Sequence, residues 1–224
     1  MSVERLPLFP LHTVLFPGMV LPLHIFEERY KRMIRDCLLE GRDFGVALIR
    51  EGVEVGGEAI PYEIGTTAHM TRVEHLDQGR MNIVAVGRRR FRLLKLHHDR
   101  PYLTADVEYV PLRGGNYRDA MALADRVRPQ IGRYLELLAA SVGFSIGVRD
   151  IPDDPIALAY MTAIALQMPE HEKQSLLSAE DLTALLSRER VILRRELALL
   201  RFILETEARQ DDLILGATKH LYLN

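Results

Sequence analysis

Residues 6–30, LPLFPLHTVLFPGMVLPLHIFEERY, carry four prolines (Pro7, Pro10, Pro17, Pro22) spaced through a run of Leu, Val, Phe and Ile. Proline cannot donate to a sheet ladder, so it sits at edges, strand starts and turns. The segment therefore predicts short strands over 6–9, 13–16 and 19–23, separated by rigid corners. Pro17-Gly18 is a turn dipeptide, with proline setting φ and glycine accepting positive φ. The strand pattern gives way to a helix near Phe26.

That helix, 27–40, places Tyr30, Met33, Ile34, Cys37 and Leu38 on one face and stops at Gly41. A strand-length apolar run follows at 44–49, then a Gly-rich loop over 52–57. Segments 64–76 and 80–86 read as a hairpin across Asp77-Gln78-Gly79, and 88–96 and 102–110 as two more strands. Six to eight short strands with one early helix predict a small closed or nearly closed barrel.

The pattern changes at PLRGGN, 111–116, the best candidate boundary. Beyond it the periodicity is helical. A first helix over 117–142 carries Met121, Ala124, Val127, Ile131, Tyr134, Leu135, Leu138 and Val142 as its stripe, with a kink or break expected at Pro129. A second starts at Asp154-Pro155 and ends before Pro169; it is apolar nearly all round, which predicts a buried helix. A third begins with Ser178 as cap and Asp181 three residues later. It places Leu182, Leu185, Leu186, Leu193, Leu197, Leu200 and Leu204 on one side and Arg and Glu on the other. The expected organisation is α+β, with a strand-rich part over 1–112 and a helical part over 113–224.

The balance of 29 basic and 31 acidic residues offers no cationic field for a phosphate backbone, which argues against nucleic acid as a partner. The single cysteine, Cys37, excludes an internal disulfide framework and fits a reducing compartment. The sequence holds no apolar run of membrane-spanning length. The prolines and the early Glu4-Arg5 pair argue against reading the N-terminus as a signal peptide. A cytoplasmic location is expected.

Further segments sharpen the reading. VGRRRFRL at 86–93 holds Gly87, Arg90, Arg92 and Leu93 in a Gly-x-x-Arg-x-Arg-Ile-like pattern. DDPIALA follows at 153–159, then Met168-Pro169 and KQSLL at 173–177. With the proline-punctuated opening, and in this order over roughly 6–205, these segments resemble the Lon protease N-terminal (substrate-binding) domain family. The resemblance implies a small PUA-like β-barrel with one helix, followed by a C-terminal helical bundle. It also implies a non-catalytic module that binds unfolded or extended polypeptides, alongside an ATP-dependent protease. No G-x-x-x-x-G-K-[ST] occurs, and the Ser-Lys peptidase segment of the full proteases is absent. The chain thus resembles a stand-alone domain expected to bind without ATPase or peptidase activity, and without a cofactor.

A peptide can add to an exposed sheet edge or lie in an apolar groove. The candidate contacts are Phe16 and Met19 around the Pro17-Gly18 turn, Tyr62 after the Gly-rich loop, and Met70 on the hairpin. Each also fits ordinary core packing. The structural alternative is a dimerisation or adaptor unit that uses the C-terminal helix, giving a homodimer.

Other constellations carry less. GFSIG at 143–147 matches G-x-S-x-G, with Asp150 and His171 as conceivable partners of Ser145. A nucleophile elbow needs a strand before the serine and a helix directly after it, and this context supplies neither. None of the eight histidines has a recognised metal-ligand spacing, so no metal is expected; His97-His98-Asp99 reads as a solvated turn. Strict strand alternation in RRRFR at 88–92 places Arg88, Arg90 and Arg92 on one face and Arg89 and Phe91 on the other. That splits the basic cluster and favours a salt-bridged strand over an RNA site. Cys37 is expected to fill core.

Overall fold

The computed structural model describes residues 3–52, 59–141 and 151–221, with side chains described through residue 206. Strands come first: β1 (Val3–Leu11), β2 (Val20–Ile25), β3 (Phe44–Gly52), β4 (Ala59–Pro61), β5 (Ile64–His75), β6 (Met81–His97) and β7 (Thr104–Tyr109). Helix α1 (Glu28–Glu40) lies among them. Helices α2 (Tyr117–Ser141), α3 (Pro155–Ala165), α4 (Glu170–Leu177) and α5 (Leu182–Leu221) follow. The architecture is mixed, a β-sheet with helices. The chain forms two compact units, one of residues 1–114 with 166–185, the other of 115–165 with 186–224. Among the described residues no helix is long and apolar enough to cross a membrane.

In the first unit, β1 runs straight through Pro7 and Pro10 instead of breaking at them. Its residues Val3–Pro7 pair antiparallel with β7, and Leu8–Leu11 pair parallel with β3. Alternate residues serve two cores. Leu6 and Leu8 join Ala47, Phe91, Ala105 and Val107, whereas Phe9 and Leu11 join a larger cluster with Leu21, Met33, Ile34, Phe44 and Ile83. A strand buried on both faces reads as a continuous apolar run, and this is why LPLFPL does not alternate. Residues 13–16, expected as a strand, are irregular. Val14, Leu15 and Phe16 are buried there all the same, and the Val14 N–H donates to Glu170 Oε2 at 2.8 Å.

Strand pairing passes from β1 through β7, β6, β5 and β3 and returns to β1. β6 is one strand, not two. Its first half lies between β2 and β5, its second between β5 and β7. Among the described residues β2 pairs only with β6, so it is an edge strand. α1 buries Tyr30, Met33, Ile34 and Cys37 and stops at Gly41 with φ 62°. Tyr30 stacks on Phe9 with ring centroids 3.9 Å apart.

The sequence pattern does not announce α4. Ser178, expected to open the last helix, closes α4 instead. Asp181 is the cap of α5, accepting the Ala184 N–H at 2.8 Å. In the second unit α2 continues as one helix through Pro129. α3 starts where Asp154-Pro155 predicts, with Asp154 Oδ2 accepting the Ala157 N–H at 2.7 Å. α3 is not buried all round: Leu158, Ala159, Thr162 and Ala163 are covered, and Ile156 in its first turn is exposed.

Candidate polypeptide-binding surface

The Pro17-Gly18 turn is clamped onto β6. The Met19 N–H donates to the Phe16 carbonyl at 3.0 Å, the Gly18 N–H to the Gly87 carbonyl at 2.8 Å, and the Gly87 N–H to the Met19 carbonyl at 2.9 Å. Gly18 has φ 83°, the left-handed conformation this position of a Pro-Gly turn requires. A Cβ on Gly87 would stand 2.1 Å from the Phe16 carbonyl oxygen, so only glycine lets the turn seat. Phe16 itself is 0% exposed and anchors the turn from within.

The turn delivers the chain into β2, whose inward residues form rows across the sheet. Leu21 and Met70 flank Ala85, and Leu23 and Val73 flank the neighbourhood of Ile83. Met19, Leu23, Met70 and Val73 are half-buried, all packed against the larger cluster. The structure thus brings Met19 and Met70 to the margin of one apolar face. Tyr62 lies apart from them, following β4, with its N–H bound to the Leu48 carbonyl at 2.8 Å.

Two exposed apolar residues escaped the sequence reading: Val20 (58% exposed) and Phe26 (50%). They border the free edge of β2. The His24 ring lies parallel-offset to Phe26 at 6.0 Å, and its Nδ1 is 2.7 Å from Asn82 Oδ1. The available signal was the alternation of Val20, Pro22 and His24 against Leu21, Leu23 and Ile25, which marks a half-solvated strand. Pro22 in its middle is tolerated because the strand is an edge.

The basic run on β6 disperses. A register shift between Thr66 and Ala68 of β5 interrupts the alternation. Arg89 stacks over the Tyr109 ring, 3.7 Å from its centroid. Arg92 pairs with Glu108 at 3.0 Å, Phe91 enters the core, and Arg90 is buried. Burial, then the hydrogen bond to Glu4, pushes the Tyr109 hydroxyl up to about 12. Burial likewise pushes the Cys37 thiol up to about 12. His97 Nε2 is 2.8 Å from Asp106 Oδ2. Asp99 pairs with Arg5, whose hydrogen bond holds the carboxyl below its ordinary range. Among the described residues no three His, Cys, Asp or Glu side chains gather as a metal site. Ser145 and Asp150 lie outside the described residues, and His171 is exposed in α4.

A family model described as the ATP-dependent protease La (LON) substrate-binding domain matches residues 5–195. The Lon protease of Anaeromyxobacter dehalogenans is 30% identical over 199 residues, covering 84% of this chain and 24% of that protein. Lon protease 2 of Myxococcus xanthus is 29% identical over 201 residues, covering 85% of this chain and 24% of that protein. The chain therefore spans about a quarter of the length of these relatives. Among solved structures, a Lon N-terminal domain protein from Xanthomonas campestris aligns with TM-score 0.57 and 26% identity, over 83% of this chain and 96% of that one. The N-terminal domain of a Mycobacterium avium complex Lon protease aligns with TM-score 0.60 at 20% identity, over 86% and 98%, a likeness of fold. The chain belongs to the ATP-dependent protease La (LON) substrate-binding domain family.

Proposed function

We propose that this chain is a non-catalytic module that holds extended polypeptide, working with an ATP-dependent protease in the cytoplasm. The observation that carries the reading is the free edge of β2 beside an incompletely covered apolar margin. An unfolded segment adding to β2 would hydrogen-bond to its backbone and set apolar side chains beside Met19 on one face and Val20 and Phe26 on the other, with Met70 two strands further in on β5. Met19 and Met70 suit varied sequences because the thioether side chain adapts its shape. Pro22 interrupts the donor row, so pairing is short and the apolar contacts supply much of the affinity. Phe16 serves by fixing the turn, and Tyr62 is a secondary contact. The closed circuit of strand pairing is read as the PUA-like barrel, and the second unit as the helical bundle.

The test compares binding of reduced, unfolded α-lactalbumin with its native form. Preference for the unfolded form is expected, weakened several-fold when Val20 and Phe26 are both replaced by Lys. Equal binding of the two forms refutes the reading.

A second reading, self-association through α5, is favoured by one observation. Val191, Leu199, Phe202 and Ile203 are exposed on the helix where charge was expected to dominate. A homodimer would show as a concentration-dependent mass in light scattering that Phe202→Glu abolishes; a monomer at all concentrations excludes it.

A further inference from the structure

Arg90 is a buried cation with no ion-pair partner among the described residues. It is 6% exposed, lies opposite Thr66 in the β5–β6 register, and donates from Nη2 to the Ala179 carbonyl at 2.8 Å. Its Nε is buried with no partner. Glu108, a carboxylate lining the same cleft, is held by Arg92 at 3.0 Å. Two further buried atoms are also unpartnered, Thr66 Oγ1, opposite Arg90 in the β5–β6 register, and Gln174 Oε1 on α4. Gln174 belongs to this corner because its Nε2 donates to the Ile64 carbonyl at 2.9 Å. Arg90 lines a cleft of about 490 Å³ whose rim includes Glu63, Tyr109, Arg113 and Glu180. All of these residues lie within the first compact unit.

A guanidinium withdrawn from water with no opposite charge is strongly unfavourable. A water molecule would satisfy Nε but not the charge. A carboxylate in the cleft supplies the opposite charge and accepts charge-assisted hydrogen bonds from the guanidinium. The rim decides which anion fits. The lining sets Arg90, Arg92 and Arg113 against Glu63, Glu108 and Glu180, so it offers no net positive field for a dianion or a polyanion, and a singly charged carboxylate on Arg90 is the smaller load.

We infer that this cleft receives a carboxylate of the bound polypeptide, with Arg90 as its counter-ion. The inference rests on the polypeptide-binding reading above and adds a chemical anchor to it. The carboxylate comes from a chain terminus or from an acidic side chain; the chemistry is shared and the experiment separates the sources.

Three fluorescent alanine- and leucine-containing decapeptides serve as probes in an anisotropy titration: a free acid, its C-terminal amide, and the amide with one central Asp. The free acid is expected to bind at least tenfold tighter than the plain amide. Recovery of affinity in the Asp amide assigns the site to side chains; its failure assigns it to chain ends. In Arg90→Met, which replaces the buried guanidinium with an apolar side chain of similar length, the difference between acid and amide disappears. A measurement on the unaltered protein covers the case in which the variant does not fold. Acetate raises the melting temperature more than chloride at equal ionic strength. Equal binding of all three peptides, or equal effects of acetate and chloride, overturns the inference. So does tighter binding of a phosphopeptide or an RNA oligonucleotide. If the lactalbumin preference fails while acid and amide still differ, the general reading falls and the cleft stands. The converse result removes only the cleft.

Discussion

Glu189 offers the sharpest test of how the helical unit is built. It is 0% exposed, and both carboxyl oxygens are buried without partners. Along α5 it fills the position between Leu185-Leu186 and Leu193, all buried, so a carboxyl occupies a place in a leucine stripe. Burial drives its pKa well above the ordinary 4.5, and the folded protein keeps the proton. The unfolded chain releases it near its ordinary value. Folding therefore takes up a proton at any pH between the two pKa values, and stability falls as pH rises through that window. One proton corresponds to a slope of about 1.4 kcal/mol per pH unit. Below the unfolded pKa the contribution is flat and stability is greatest; above the folded pKa the loss is complete. Glu189→Gln keeps the shape and removes the titration, so its stability curve should lack that slope. Glu189→Leu removes the unpaired polar group as well, and should gain about 1–3 kcal/mol at neutral pH. For a chain of this size each kcal/mol is worth roughly 2–4 °C in melting temperature. The assay is urea unfolding followed by ellipticity at 222 nm, for the three proteins between pH 4.5 and 8. Parallel curves for wild type and Glu189→Gln would refute the argument, because the carboxyl would then be ionised and solvated in the folded state.

Three further outcomes are expected. Gly87→Ala should lose at least about 1–3 kcal/mol, because its Cβ meets a backbone oxygen and not a movable side chain; calorimetry reads it, and an unchanged melting temperature contradicts the clamp. Cys37, with its thiol pushed up to about 12, should resist a disulfide exchange reagent at pH 8 until the protein unfolds, so its labelling rate should rise steeply with denaturant. Asp181→Ala should lose about 1 kcal/mol through loss of the α5 cap, whereas Ser178→Ala, at the other residue proposed as cap, should lose less in the same denaturation assay.

The sequence made the α1 stop, the hairpin across residues 77–79 and the Asp154 cap legible, because each rests on local chemistry within a few residues. The tertiary partners were not legible. Pro7 and Pro10 looked like strand breaks, yet β1 continues through them because different halves of it pair with β7 and β3. The arginine run looked divided between two faces by alternation. A register shift and the distant carbonyl of Ala179 dispose of it differently, and neither leaves a local mark. Glu189 was visible only as a gap in the leucine stripe. At the candidate surface, Met19 and Met70 were identified by residue type, and their approach to one cluster required the β2–β6–β5 register. Val20 and Phe26 were missed because the alternation over 20–25 separates two faces of the strand without saying which one the rest of the fold leaves to solvent.

The first unit takes its last pieces from residues 166–185. Glu170 receives the Val14 N–H, Gln174 holds the Ile64 carbonyl, and the Leu182 N–H reaches the Arg113 carbonyl. On a ribosome these partners emerge only after the whole 115–165 segment has been made, a delay of seconds at about 5–20 residues per second. During that interval the nascent strands wait with Val14, Ile64 and Arg90 unsupported. The unit whose surface is proposed to hold unfolded chains is thus itself an incomplete fold for part of its own synthesis, and a fragment cut at the apparent boundary near residue 112 would remain in that state.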